Sequence, residues 1–241
     1  MSGHSKWSTI KREKGAKDSK RGAIFTRIGN LIAIAARGGT DPSMNSTLAM
    51  AIEKAKQANM PSVNIQRAID RASDKSAAVL EEIVYEGMGS GGVGIIIETA
   101  TDNKNRTFPE VKNALTKNGG RIADAGSVMF QFTHKGVIRV LETNEDALLA
   151  VLDAGAEDAV EEEGELTVYT ELKDLAKVRS SIIEAGLTVS SAELQYVPNS
   201  LVEVSDIEHA QKIIKLLDAI DDLDDVVNVH SNADITVDLP N

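Results

Sequence analysis

The sequence predicts a multidomain α+β protein: an N-terminal helical bundle followed by two ferredoxin-like α+β domains, one inserted into the other. Three observations carry this expectation. Apolar residues recur at helical spacing through the first 75 residues. Beyond residue 93 helical stretches alternate with short β-branched runs, in the order βαββαβ between 136 and 197, which is the ferredoxin-like signature. Charge also divides the chain: residues 1–75 hold 14 Lys/Arg and 6 Asp/Glu, the remainder 12 and 31, within a total of -11.

Taken in order, residues 23–36 place Ile24, Ile28, Leu31, Ile32 and Ala35 on one side of a helix that stops at Gly38-Gly39. Asp41 and Pro42 suit an N-cap and first helical position for a second helix, with Leu48, Ile52 and Ala55 inward. Asn59 and Pro61 repeat the device for a third, with Ile65, Ala68, Ile69 and Ala72 inward. The small polar segment 73–78 reads as a linker. Val93 to Thr99 is a strand, and the capping-box spacing Thr107 to Glu110 opens a helix through Val111, Ala114 and Leu115 that ends at Gly119-Gly120. Val128 to Phe132 is a further strand. There follow strand 136–142, helix 145–154, strands 158–161 and 165–170, helix 172–184 and strand 188–197. The tail supplies strand 201–204, a helix opened by Ser205-Asp-Ile-Glu208 with Ile207, Ala210, Ile214, Leu217 and Ile220 inward, and strand 226–230. Two strands and one helix are marginal alone, so 93–132 and 200–231 are expected to complete one domain around the insert. The domains are then 1–77, basic and helical with an N-terminal arm; 78–133 with 199–241, discontinuous; and 134–198, inserted.

Composition excludes several classes. Hydrophobic content of 42% supports packed cores, and aromatic content of only 3% makes them aliphatic. Cysteine is absent, so neither a disulfide framework nor a thiolate metal site is available. No apolar signal region opens the chain, and Ile28 to Ala36 is too short to span a bilayer. A cytoplasmic protein without membrane partner is expected.

The first forty residues carry nine Lys/Arg against two acidic residues, a local charge of +7, with the only tryptophan, Trp7, among them. An acidic chain with its cations gathered at one end is suited to an anionic partner. Lys6, Lys11, Arg12, Lys14, Lys17, Lys20, Arg21 and Arg27 are the candidate phosphate contacts. Trp7 either stacks on an unpaired base or anchors the arm against the helical core. The competing readings are a solvated charged surface and an Arg- and Ser-rich transit peptide; the helix that the run leads into argues for a folded head.

Other candidates for chemistry are weak. Gly87, Gly89 and Gly92 match GxGxxG, but they precede a strand instead of opening a helix, and no Lys-Ser/Thr follows. A flexible interdomain turn is the better reading. The segment Thr101 to Thr107 suits turn geometry, with Lys104 and Arg106 as a possible secondary contact for phosphate or protein. The acidic runs Glu161 to Glu163 and Asp221 to Asp225 lack EF-hand spacing and a nearby His, so no metal site is expected. His4 reads as a neutral hydrogen-bonder. No nucleophile stands beside a base; no catalytic residue, cofactor or small-molecule substrate is expected.

Four stretches, GHSKWSTIKREKGAKDSKR at 3–21, MPSVNIQRAI at 60–69, YEGMGSGGVGIIIETATDNKNRT at 85–107 and DDLDDVVNVHSN at 221–232, resemble the YebC family. That family also contains a mitochondrial translational activator of cytochrome c oxidase. The resemblance implies a helical bundle with two α+β domains, one split by the other, and no catalysis. The chain departs from the family pattern at Met88 and Ser90, where Tyr and Pro are usual, which weakens any stacking contact made there in relatives. Members are generally labelled probable transcriptional regulators that bind DNA, which implies a DNA-binding regulator acting through the basic head. The alternative is a translation factor on ribosomal RNA or the ribosome, and a third is a protein-interaction scaffold acting through the acidic domains. No helix-turn-helix signature or dimer helix predicts two half-sites on a duplex, and a basic arm with one aromatic suits irregular or single-stranded RNA at least as well. The physics leans slightly to RNA, while the family label leans to DNA. The sequence leaves the oligomeric state open.

Overall fold

Apolar periodicity of 3.6 in the head gives way to alternation of 2 further on, and the fold follows that change. The computed structural model describes residues 21–74, 78–162 and 164–237, which fall into two compact units, 133–197 and the remainder. The multidomain α+β class expected from the sequence is the class observed.

The head is three helices, α1 (Arg21–Ala35), α2 (Ser46–Gln57) and α3 (Ser62–Ser73). Ile28 and Ile32 of α1, Leu48 and Ala55 of α2, and Ile65, Ala68 and Ile69 of α3 form one aliphatic core. The cap of α2 is a correction to the sequence reading. Asp41 is taken by a local turn, accepting from Ser43 N at 2.9 Å and Ser43 Oγ at 2.7 Å. Asn45 caps the helix instead, accepting from Leu48 N at 3.1 Å. The turn into α3 passes through Asn59 at φ 57°, a left-handed position that Asn tolerates better than most residues.

The rest of this unit is a four-stranded antiparallel sheet of β1 (Glu81–Met88), β2 (Gly94–Thr101), β3 (Arg121–Ile122) and β9 (Val226–Ser231), in the order β3-β1-β2-β9. Helices α4 (Lys104–Lys117) and α7 (Ile207–Asp221) cover one face. Their Val111, Leu115, Ile213 and Leu217 meet Ile95 and Ile97 of β2 in one buried apolar core. The pair β8 (Val202–Val204) and β10 (Ala233–Ile235) runs parallel beside this sheet and does not join it.

Strand β1 was not anticipated. Its apolar run is only Ile83 to Tyr85, preceded by two glutamates, and its buried end carries Glu86. The glycine stretch is therefore no interdomain turn. It is the tip of the β1–β2 hairpin, where Gly91 and Gly92 take φ of 68° and 82°, conformations that a Cβ disfavours. Residues 128–131 are not a strand either. The Glu86 carboxylate, 6% exposed, accepts from the backbone amides of Gly126, Val128 and Met129, the last two at 2.6 and 2.8 Å. Those amides are unavailable to a ladder, so Met129–Gln131 forms a 3-10 turn. The α4 cap also moves upstream: Asn103 accepts from Arg106 N at 3.2 Å, which places Thr107 inside the helix.

The other unit contains β4 (Phe132–Val140), α5 (Glu145–Asp153), β5 (Asp158–Glu162), β6 (Glu165–Thr170), α6 (Leu175–Glu184) and β7 (Val189–Pro198). Its strand order β5-β6-β4-β7 is that of a ferredoxin-like sheet. Gly136 lies so close to Thr170 and Leu175 that a Cβ has no room.

Two predictions follow from this packing. Gly136→Ala should lower stability by about 1–3 kcal/mol through overpacking, read by urea denaturation. Burial alone would raise the Glu86 carboxyl pKa, but the three amides outweigh it and hold the value below the ordinary 4.5. The stabilisation from Glu86 is therefore complete above that ordinary value and fades as pH falls through the lower folded one. Glu86→Gln should cost about 2 kcal/mol at pH 7, and it should flatten the acid limb of a stability-against-pH curve. An unchanged acid limb would contradict the assignment.

Candidate nucleic-acid interface

Each cation of the basic head has a different fate. Lys6, Trp7, Lys11, Arg12, Lys14, Lys17 and Lys20 lie outside the described residues, as does His4, and the same holds for the side chain of Arg21. Arg27 is described, and it is turned inward. Its Nη1 lies 3.2 Å from Asp221 Oδ2 at the end of α7, with both side chains 12% exposed. A guanidinium in that position is engaged by its own fold and is not presented outward beside the arm.

Further polar contacts fasten the head to the split sheet. Asn30, 7% exposed, donates to the Ala100 carbonyl at 3.4 Å and accepts from Arg71 Nη1 at 3.3 Å. Arg71 Nη2 also lies 3.8 Å from Asp102 Oδ2. Arg37 donates to the Leu80 carbonyl. Helix α1 thus packs on α2 and α3 while also meeting β2 and β9.

The loop 101–107 resolves in favour of structure. Asp225, 7% exposed, accepts from Thr107 Oγ1 at 2.6 Å, Thr101 Oγ1 at 3.0 Å and Arg106 Nη2 at 2.8 Å. Burial pushes its pKa up, but the Thr107, Arg106 and Thr101 donors and the Arg106 charge prevail, leaving it below its ordinary value. Arg106 is in turn held by Asp225 and, at 3.3 Å, by Asp102, which raises its own pKa. Arg106, expected as a secondary contact, pairs with Asp225 and Asp102 with its side chain still 46% exposed, and Lys104 lies exposed in the first turn of α4.

Sequence reading passed over the outward stripe of α3, where Val63, Gln66, Arg67 and Asp70 are exposed. The signal was present: it is the complement, at the same period, of the inward Ile65, Ala68, Ile69 and Ala72. Among the described residues no group of His, Cys, Asp or Glu is arranged to hold a metal ion, and no helix is long and apolar enough to cross a membrane.

A helical head joined to antiparallel α+β units defines a multidomain protein whose recognisable chemistry is charge and hydrogen bonding. The comparisons make the assignment specific. The model for the TACO1/YebC protein N-terminal domain matches residues 5–75, and that for the TACO1/YebC second and third domain matches residues 80–233. A probable transcriptional regulatory protein of Halothermothrix orenii is 44% identical over 243 residues, covering 98% of this chain and 96% of that protein. Another from Desulfotalea psychrophila is 46% identical over 244 residues, covering 99% and 98%. The crystal structure of a conserved hypothetical protein from Aquifex aeolicus superposes with a TM-score of 0.85 at 39% identity, covering 92% of this chain and 93% of that one. This chain belongs to the TACO1/YebC family.

If Arg27 belongs to the fold, Arg27→Gln should lower stability by about 1–3 kcal/mol, because the partly buried Asp221 loses a charged partner. Affinity for nucleic acid, measured well below the melting temperature, should stay within about twofold. A large affinity loss at unchanged stability would return Arg27 to the interface.

Proposed function

We propose that this chain is a non-enzymatic regulator of gene expression that binds DNA through its basic N-terminal head. The observation that carries the reading is the opposition of charge, +7 in residues 1–40 against an excess of 19 acidic residues in 76–241. An acidic body repels a polyanion, so the partner meets the head. The relatives named probable transcriptional regulatory proteins support the same reading. Lys6, Lys11, Arg12, Lys14, Lys17, Lys20 and Arg21 are assigned to phosphates and Trp7 to stacking or anchoring. Arg27 and Arg106 are assigned to the fold. The division of labour follows the three-part chain: residues 1–77 hold the nucleic acid, while 78–133 with 199–241, and 134–198, form the acidic body. The site of action under this reading is the cytoplasm.

Titration of promoter fragments against competitor DNA tests the reading. If six head cations meet duplex phosphates, log affinity should fall against log salt with a slope of about -5. Replacing Lys11, Arg12, Lys14, Lys17, Lys20 and Arg21 with Gln should remove most of that slope. Absence of any sequence preference, together with co-sedimentation on ribosomes at low salt, would transfer the function to translation. Full regulatory activity in a chain lacking residues 1–22 would place it in the acidic domains.

A further inference from the structure

The basic arm explains attraction to a polyanion but offers nothing that distinguishes one base sequence from another. The described part of the head carries an exposed corner of different chemistry. Helices α2 and α3 are joined by the turn 58–61, with Asn59 supplying the left-handed residue. The two helices pack chiefly on α1 and touch one another little. That arrangement suits the angled pair of a helix-turn-helix better than a closed antiparallel hairpin. The sequence conceals it because the left-handed position carries Asn where Gly is common.

The corner has a definite chemistry. From Lys54 to Arg67 the chain holds three cations and no carboxylate. Lys56, Gln57, Asn59, Val63, Gln66 and Arg67 are exposed there, with Val63 64% exposed. Among the described residues Arg67 contacts Asn64 Oδ1 at 3.4 Å, and Gln66 donates to Asp70 at 2.8 Å. Ile65, Ala68 and Ile69 fix the opposite face of α3 in the head core, so the outward side chains sit on a rigid element.

We propose that α2, the turn 58–61 and α3 form a reader of duplex DNA, with α3 in the major groove. Gln66 and Arg67 meet base edges and Lys56 meets a flanking phosphate. Arg matches the paired acceptors of guanine and Gln the donor–acceptor pair of adenine, while Val63 offers an apolar contact for a thymine methyl group. A duplex fits better than a single strand, because residues 54–67 contain no aromatic on which an unpaired base could stack. The inference rests on the nucleic-acid reading above and adds the element that supplies sequence preference.

The test uses the full chain, an Arg67→Ala variant, a Gln66→Ala variant and an arm variant with Lys11, Arg12, Lys14 and Lys17 changed to Gln. Wild type is carried through selection on randomised duplexes, and all four proteins are then titrated on an enriched and a scrambled duplex. Wild type should enrich a short motif. Arg67→Ala should lose about tenfold on the enriched duplex and little on the scrambled one, with unchanged melting temperature. Gln66→Ala should alter preference at a neighbouring base. The arm variant should weaken both duplexes alike. Wild type that binds all duplexes equally, or an Arg67→Ala variant that keeps the wild-type ranking, overturns the reader while leaving the arm in place. Retained affinity in the arm variant alongside a loss in Arg67→Ala supports the reader and overturns the arm. Wild type that ignores duplexes but binds an RNA hairpin overturns the reader alone.

Discussion

Helix α1 is constrained on two sides, and that constraint organises the larger unit. Ile28 and Ile32 pack against α2 and α3, while Arg27 and Asn30 reach α7 and β2. The Arg27–Asp221 pair is not where most of the holding energy lies. Desolvating two such charges costs several kcal/mol and roughly offsets their attraction. Aliphatic burial in the head core supplies the larger share, at about 25 cal/mol per Å². The pair instead fixes position: it is satisfied only when α1 lies in one place along the sheet, because Asn30 must reach the Ala100 carbonyl at the same time.

This divides the cations of the head into two populations. Arg27, Arg37 and Arg71 are drawn to oxygens of the split domain, namely Asp221, the Leu80 carbonyl and Asp102. An acidic body inevitably claims the cations nearest to it, since a charge at 3 to 4 Å in a half-buried setting is screened far less than one in open solvent. Among the described cations of the head, Lys56 and Arg67 are instead exposed. Bulk charge counting alone does not separate these populations; the distances do.

The sequence made long periodic elements legible and left short, mixed ones obscure. All three head helices and the succession from 136 to 197 follow directly from apolar spacing. Most of the losses occur where a polar group is buried. Glu86 interrupts the pattern that would have revealed β1, and the amides it collects remove 128–131 from the sheet. Thr107 has the spacing of a cap, yet its hydroxyl serves Asp225, and Asn103 does the capping. Asp41 was displaced by Asn45 for a similar reason, since its carboxylate finds nearer donors in Ser43. For Glu86 and Thr107 the local signal was genuine but a longer-range partner competed for the same atom, whereas Asp41 was taken by a nearer one. Arg27 shows this for the candidate site: its charge was plain in the sequence, and its partner lies 194 residues away.

The two contacts proposed for the head, through the basic arm and through the α3 corner, complement one another physically. A run of lysines neutralises phosphates wherever it lands and releases counterions each time, which yields affinity without preference. A rigid helix with one Gln and one Arg outward yields preference, worth about 1–3 kcal/mol per well-made base contact, but little affinity alone. Arg21 opens the helix whose Ile28 and Ile32 pack in one core with Ile65 and Ile69 of α3, so the segment before α1 continues in sequence into the element that supports the corner. Under that proposal an arm bound to a duplex would hold the corner there at high effective concentration, so even modest base contacts would act on the distribution of bound positions. Under the same proposal the helical head would both hold a polyanion and choose along it, while the acidic sheets would only repel it.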